Sequence, residues 1–122
     1  MGKYLVKTVK TGFTFNVIAG NGQVIGVSEV YTTKASCLNG IDSVKRNAPV
    51  AGLEDQTVEG FEGVKCPKFE IYNDKAGEFR FRLKARNGEI ILASEGYTRK
   101  DGCLGGVESV RKNSDSPIVE EE

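Results

Sequence analysis

FRFRLKARNGEIILASEGYTRKDGCLGGVESVRKN, residues 79–113, is a second copy of FTFNVIAGNGQVIGVSEVYTTKASCLNGIDSVKRN, residues 13–47. The two stretches align without a gap at a constant offset of 66 positions, Phe79 against Phe13. They share F-x-F, A-x-N-G, S-E-x-Y-T-x-K, C-L-x-G and S-V-x-x-N. Two copies of so long a unit predict a pseudo-two-fold domain, because a solenoid needs three or more stacked repeats to bury its faces.

A chain of 122 residues is the size of one domain, whereas each half alone is too small to bury an adequate share of its surface. The halves are therefore expected to share one core. The expected division is repeat 1 over about 3–57, a connector over about 58–68, rich in Gly and containing Pro67, and repeat 2 over about 69–119.

Inside each copy the apolar period changes once. Phe13-Thr14-Phe15-Asn16-Val17 and Phe79 to Ala85 alternate as strands do. Asn21-Gly22 and Asn87-Gly88 read as type I′ hairpin turns, in which both central residues need positive φ. Past Tyr31 the spacing of Cys37, Leu38, Ile41 and Val44 is that of a helix over about 33–46, with Thr32 as its N-cap. The second helix, over about 99–112, buries Cys103, Leu104, Val107 and Val110, with Thr98 and Asp101 at capping-box spacing. Short further strands fit between Val50 and Thr57 and at Ile118-Val119. The predicted fold class is α+β: two tandem β-β-β-α(-β) repeats forming one antiparallel sheet with helices packed on one face. Gly40 and Gly106, inside the helices, predict a close approach by the sheet or by the other helix.

The composition excludes much chemistry. There is no histidine, so Ser-His-Asp and Cys-His catalysis and histidine-containing zinc sites are absent. Three cysteines, without C-x-x-C spacing, do not make a metal or redox motif. Cys37 and Cys103 fall on the apolar helix stripes, where a thiol packs as a small hydrophobe, while Cys66 lies in the connector. No catalytic residue, cofactor or metal is implied. With 17 basic and 17 acidic residues the whole molecule lacks the positive excess of an obligate nucleic-acid binder, so any charge argument is local. Without a signal-peptide run or a membrane-length apolar stretch, a soluble cytoplasmic protein with no membrane contact is the expectation.

Three features carry the candidate sites. The polar turns Ser28-Glu29-x-Tyr31 and Ser94-Glu95-x-Tyr97, extended by Thr32 and Lys34 and by Thr98 and Lys100, gather a hydroxyl, a carboxylate, a phenol and an ammonium before a helix. Such a turn can orient a polar ligand, but capping and packing account for it better. In repeat 2 alone, Arg80, Arg82, Lys84 and Arg86 alternate with core residues and form a basic ladder on the helix-free face, with Tyr72 beside it and Glu70 expected near Arg80. In repeat 1 a type I′ register places Ile18, Ile25 and Val27 on that face, an apolar patch beside the basic one, covered by the connector or the C-terminal segment or open to a partner.

The combined pattern A-x-N-G-E/Q, S-E-x-Y-T, C-L-x-G-I/V and S-V-x-x-N resembles the YegP-like family of small, mostly bacterial proteins, and the resemblance covers both repeats. It implies a single sheet of β-β-β-α-β units with exchanged last strands. It implies no reaction, cofactor or catalytic residue. Family members of one repeat dimerise, so the tandem form here implies a monomer. Three readings of function remain. The first is a small non-enzymatic binding or accessory module whose open sheet face meets a protein. The second is nucleic-acid binding through the basic ladder. The third, ranked last, is a small-ligand or enzymatic site at the Ser-Glu-x-Tyr turns.

Overall fold

The computed structural model describes residues 2–121. Repeat 1 supplies strands β1 (Lys3–Val9), β2 (Gly12–Ile18) and β3 (Val24–Val27), helix α1 (Lys34–Asn47) and strand β4 (Gly52–Asp55). Repeat 2 supplies β5 (Lys68–Asn73), β6 (Phe79–Lys84), β7 (Ile90–Ala93), α2 (Lys100–Asn113) and β8 (Ile118–Glu120). All eight strands form one sheet in the order β4-β5-β6-β7-β3-β2-β1-β8. The repeats meet where β3 runs antiparallel to β7 with Val27 opposite Ala93. These two positions are equivalent in the duplication, so the pseudo-two-fold axis passes between them.

The last strand of each repeat is exchanged. β4 lies parallel to β5 of the other repeat, and β8 lies parallel to β1. The hairpins are antiparallel as expected, while these two edge pairs are parallel because each last strand arrives by way of a helix and not a tight turn. Pairing of Leu5 with Val119 and of Glu54 with Glu70 closes the two edges in the same way.

The core lies between the sheet and the helices. Tyr4, Phe15, Ile41 and Val44 are fully buried in one half, and Phe69, Phe81, Leu83 and Val110 in the other. Tyr4 meets Phe15 edge-on at 6.0 Å between centroids, and Phe69 meets Phe81 likewise at 6.0 Å. Truncating a buried phenylalanine of this kind to alanine costs about 3–5 kcal/mol. The helix ends are tied across the repeats: Lys45 Nζ donates to Ser116 O at 2.9 Å over the Tyr4 ring, and Arg111 Nη1 donates to Ala48 O at 3.1 Å over the Phe69 ring.

The turn type differs from the sequence expectation. Within the two Asn-Gly turns the glycines Gly22 and Gly88 have positive φ, at 87° and 84°, and neither asparagine does. Gly22 N donates to Ala19 O and Ala19 N to Gln23 O, both at 2.9 Å, which closes a three-residue loop ending in a left-handed glycine. Asn21 Oδ1 accepts from Gln23 N at 3.0 Å, an alternative to the positive φ that a type I′ turn demands of it. Ile18 then faces Val24, while Asn16 still faces Val27, so a bulge absorbs Ile25. Ile25 therefore turns to the helix side and is buried, and Val24 takes its place on the open face. Repeat 2 does the same, burying Ile91 and exposing Ile90.

Helix starts are also displaced. Thr33, not Thr32, caps α1, its Oγ1 accepting from Ser36 N at 3.1 Å. Strand pairing still holds Tyr31, whose N–H donates to Phe13 O at 2.7 Å, and this delays the helix. In α2 the N-cap is Arg99 without a side-chain cap, and Asp101 accepts from Gly102 N and pairs with Arg99, so no capping box forms.

Candidate functional site

The duplicated turn is built from its serine outward. Ser28 Oγ accepts from Phe15 N at 2.9 Å and donates to Glu29 O at 2.8 Å; Ser94 does the same with Phe81 N and Glu95 O, both at 2.9 Å. Both serines are buried, satisfying a strand N–H where the ladder ends. The tyrosines stack on the core, Tyr31 on Phe15 and Tyr97 on Phe81, each at 6.4 Å between centroids. Their rings fill the place of a side chain on the helix. A Cβ on Gly40 would stand 2.8 Å from Tyr31 Cζ, and one on Gly106 would stand 2.9 Å from Phe81 Cε2 and 2.5 Å from the Tyr97 hydroxyl. The close approach expected at both glycines comes from the sheet side. The lysines act across repeats: Lys34 pairs with Glu120 on β8, and Lys100 with Asp55 on β4.

Glu29 and Glu95 are what remains. Both are exposed, and neither carboxylate has a hydrogen-bond or ion-pair partner among the described residues. No hydroxyl of the turn is activated: burial first, then the charge of Glu29, pushes Tyr31 above its ordinary range, and burial pushes Tyr97 the same way.

One row of open-face residues crosses all eight strands, Glu54-Glu70-Arg82-Ala93-Val27-Asn16-Leu5-Val119. It runs from charged to apolar. In the charged half Arg82 Nε donates to Glu70 Oε1 at 2.6 Å, so Glu70 faces Arg82 and not Arg80. Lys84 lies 3.3 Å from Glu70 Oε2, and Lys68 bridges Glu54 at 2.8 Å and Glu70 at 3.1 Å. Arg80 Nε donates to Asp74 Oδ2 at 2.7 Å. Tyr72 lies under the Arg82 guanidinium, 4.5 Å away. Arg86 does not join the ladder; it sits in the β6–β7 turn, exposed. Three of the four ladder cations are thus ion-paired within the fold, Arg82 and Lys84 sharing Glu70 with Lys68.

Glu54 and Glu70 are only 3% and 2% exposed. The connector covers them, Val64 N donating to Glu54 Oε1 at 2.8 Å. The hydrogen bond from Lys68, with those from Gln56 and Val64 N, brings the Glu54 carboxyl down to about 2. Burial alone would raise Glu70, but bonds from Arg82, Lys68 and Lys84 outweigh it and hold the group below its usual range.

At the pseudo-two-fold axis the face is uncovered. A groove of about 290 Å³ is floored by Val27, Ala93 and Ile90 and walled by Glu29 and Glu95, with Leu92 turned to the core beneath it. Ile18 and Val24 continue the apolar strip along β2 and β3, on the face that Ile25 leaves. A third carboxylate, Glu89, stands at its margin beside Ile90. The unpaired charge around this groove is negative, whereas the sequence pointed to a positive face. Among the described residues no helix is long and apolar enough to cross a membrane, and no group of three or more metal-ligating side chains comes together.

Residues 10–55 and 74–121 each match the family described as "Domain of unknown function (DUF1508)". The chain belongs to that family, with two copies of its domain. The UPF0339 protein YegP of Yersinia pestis is 35% identical over 122 residues, covering 99% of this chain and 96% of that protein. A UPF0339 protein described by its place in the ptx operon 5′ region of Stutzerimonas stutzeri is 80% identical over 46 residues, 38% of this chain and only 41% of that protein. The solution NMR structure of the protein of unknown function yegP from E. coli superposes with a TM-score of 0.79 at 30% identity, covering 98% of this chain and 92% of that one. The family match supports the α+β two-repeat architecture and names no reaction.

The groove residues Ile90 and Ala93, and Val24 beside the groove, were not singled out from sequence. The signal that finds them is the glycine at the end of each A-x-N-G loop, read as a three-residue turn, together with the knowledge that β3 meets β7.

Proposed function

We propose that this protein is a non-enzymatic binding module whose axial groove receives a protein segment carrying an apolar side chain beside basic residues. One observation carries the reading: Ser, Tyr and Lys of the duplicated turn each hold the fold together, while Glu29 and Glu95 do not and flank an uncovered apolar floor. Carboxylates beside an apolar cleft favour a cationic, partly apolar partner by charge complementarity. The small groove fits a transient contact and not a permanent interface. Nucleic acid is disfavoured on this face, because Arg80, Arg82 and Lys84 are already paired and the unpaired carboxylates around the groove repel phosphate. An enzymatic role for the turns is disfavoured because both serine hydroxyls are buried and engaged.

The test is fluorescence anisotropy with labelled peptides sharing one central leucine and differing in basic, neutral or acidic flanks. The wild type is compared with Glu29→Lys/Glu95→Lys, which removes no internal contact. The basic peptide is expected to bind best and to lose affinity in the variant, which then favours the acidic peptide. An unchanged preference in the variant would refute the groove. The same samples in light scattering are expected to show a single-chain mass, and a stable dimer would remove the tandem-repeat argument for a monomer.

A further inference from the structure

On the helix side, away from the groove, a crevice of about 390 Å³ separates the last turns of α1 from the β6–β7 turn, and Ser43, Arg46, Asn47, Ala85, Arg86 and Asn87 line it. Its acceptors are largely engaged. Asn87 Oδ1 accepts from Glu89 N at 3.0 Å, and Ser43 O and Oγ accept from Asn47 Nδ2 at 2.8 and 3.0 Å. Its donors are largely open. Arg46 uses Nε on Asp42 at 3.0 Å and keeps both terminal nitrogens, while the Arg86 guanidinium has no ion pair among the described residues. Asn87 Nδ2 and the Ser43 hydroxyl proton add to the set. A concave lining with open donors and occupied acceptors is complementary to an oxyanion, and guanidinium groups bind phosphate and carboxylate as paired donors.

The duplication supplies an internal control. In repeat 2 the same frame recurs: Asn113 Nδ2 donates to Ser109 O at 2.8 Å and to its Oγ at 3.3 Å, and Asn21 Oδ1 accepts from Gln23 N at 3.0 Å. Lys112 stands for Arg46, but Gly20 stands for Arg86. The frame is therefore structural in both halves, and Arg86 is an addition to one of them. Charged groups facing the crevice are Arg46, Arg86 and, at its outer margins, Asp42 and Glu89. Asp42 is paired with Arg46, and Glu89 lines the adjoining recess under Tyr31.

We propose that this crevice is a binding site for a small ligand bearing a phosphate or carboxylate, held by Arg86 and Arg46 and oriented by Asn87. The site is independent of the axial groove.

The experiment is amide NMR titration of the full chain with inorganic phosphate and, separately, with acetate, at ionic strength fixed with chloride. Saturable shifts are expected at Arg46 and from Arg86 to Glu89, with the Gly20–Gln23 turn unmoved. Arg86→Gln, an exposed turn substitution, is expected to weaken binding about tenfold, the loss of one charge-assisted contact. Shifts with phosphate alone assign a phosphoryl group, and shifts with both anions assign a general oxyanion site. Unsaturable shifts, equal movement of both turns, or an Arg86→Gln variant that binds as well as wild type would overturn the proposal.

Discussion

Glu54→Gln isolates the charge that the connector buries. Glutamine keeps the volume and one acceptor oxygen, so the substitution removes the negative charge from a group that accepts from Lys68 Nζ at 2.8 Å, Gln56 Nε2 at 2.6 Å and Val64 N at 2.8 Å. The folded chain holds this carboxyl at about 2 against an ordinary value of 4.5. Because the folded value is lowered, its stabilisation is present in full above the unfolded value and disappears as pH falls through the folded one. At about 1.4 kcal/mol per pH unit, the lowering corresponds to a stabilisation of at most about 3 kcal/mol at neutral pH, reduced by the cost of desolvating so buried a carboxylate. Urea unfolding of both proteins from neutral pH down to about pH 2.5 measures it. The variant is expected to be less stable by about 1–3 kcal/mol at neutral pH, with the gap narrowing steadily below about pH 4.5. Glu70, also held low, keeps some acid sensitivity in both proteins. A gap that stays constant with pH, or no gap at neutral pH, would show that the Lys68 network contributes no charge-dependent stability.

Two adjacent glycines of α2 should respond in opposite directions. A Cβ at Gly105 meets nothing, so Gly105→Ala is expected to raise stability by up to about 1 kcal/mol, whereas Gly106→Ala drives into Phe81 and Tyr97 and is expected to lose about 1–3 kcal/mol. Thermal unfolding that moves both variants the same way would contradict the packing described. Among the thiols, burial pushes Cys103 up to about 11 and raises Cys37, and both are fully buried, while Cys66 is partly exposed. A chromogenic disulfide reagent on the native protein is therefore expected to label one thiol quickly and two slowly, and three equal rates would contradict the burial.

The strands, helices and pseudo-symmetry were legible because each is written locally and then written again. Phe15 and Phe81 alternate with polar residues, and Cys37, Ile41 and Val44 recur at helical spacing with their copies one repeat later. What was not legible depends on one residue of register or on pairing between distant segments. Asn-Gly suits both a type I′ turn and a three-residue loop, and the choice between them decides whether Ile25 or Val24 faces outward. The basic ladder read as open because Glu70 stands one rung from its expected place, opposite Arg82, and because the cover over it arrives on a connector from the other repeat. The groove lies on an axis between two repeats, where Val27 meets Ala93, and no local pattern marks it.

The exchange of last strands also makes the peptide link between the repeats replaceable. β4 belongs to the first half of the chain but completes the sheet of the second, and β8 does the converse. The segment 58–63 joining them is exposed throughout. A chain cleaved there becomes two fragments, each of which supplies the other with an edge strand, a helix-end cation and part of a common core. The covalent connection between halves is thus backed by two crossings of backbone, and a nicked protein is expected to travel as one particle until it is unfolded.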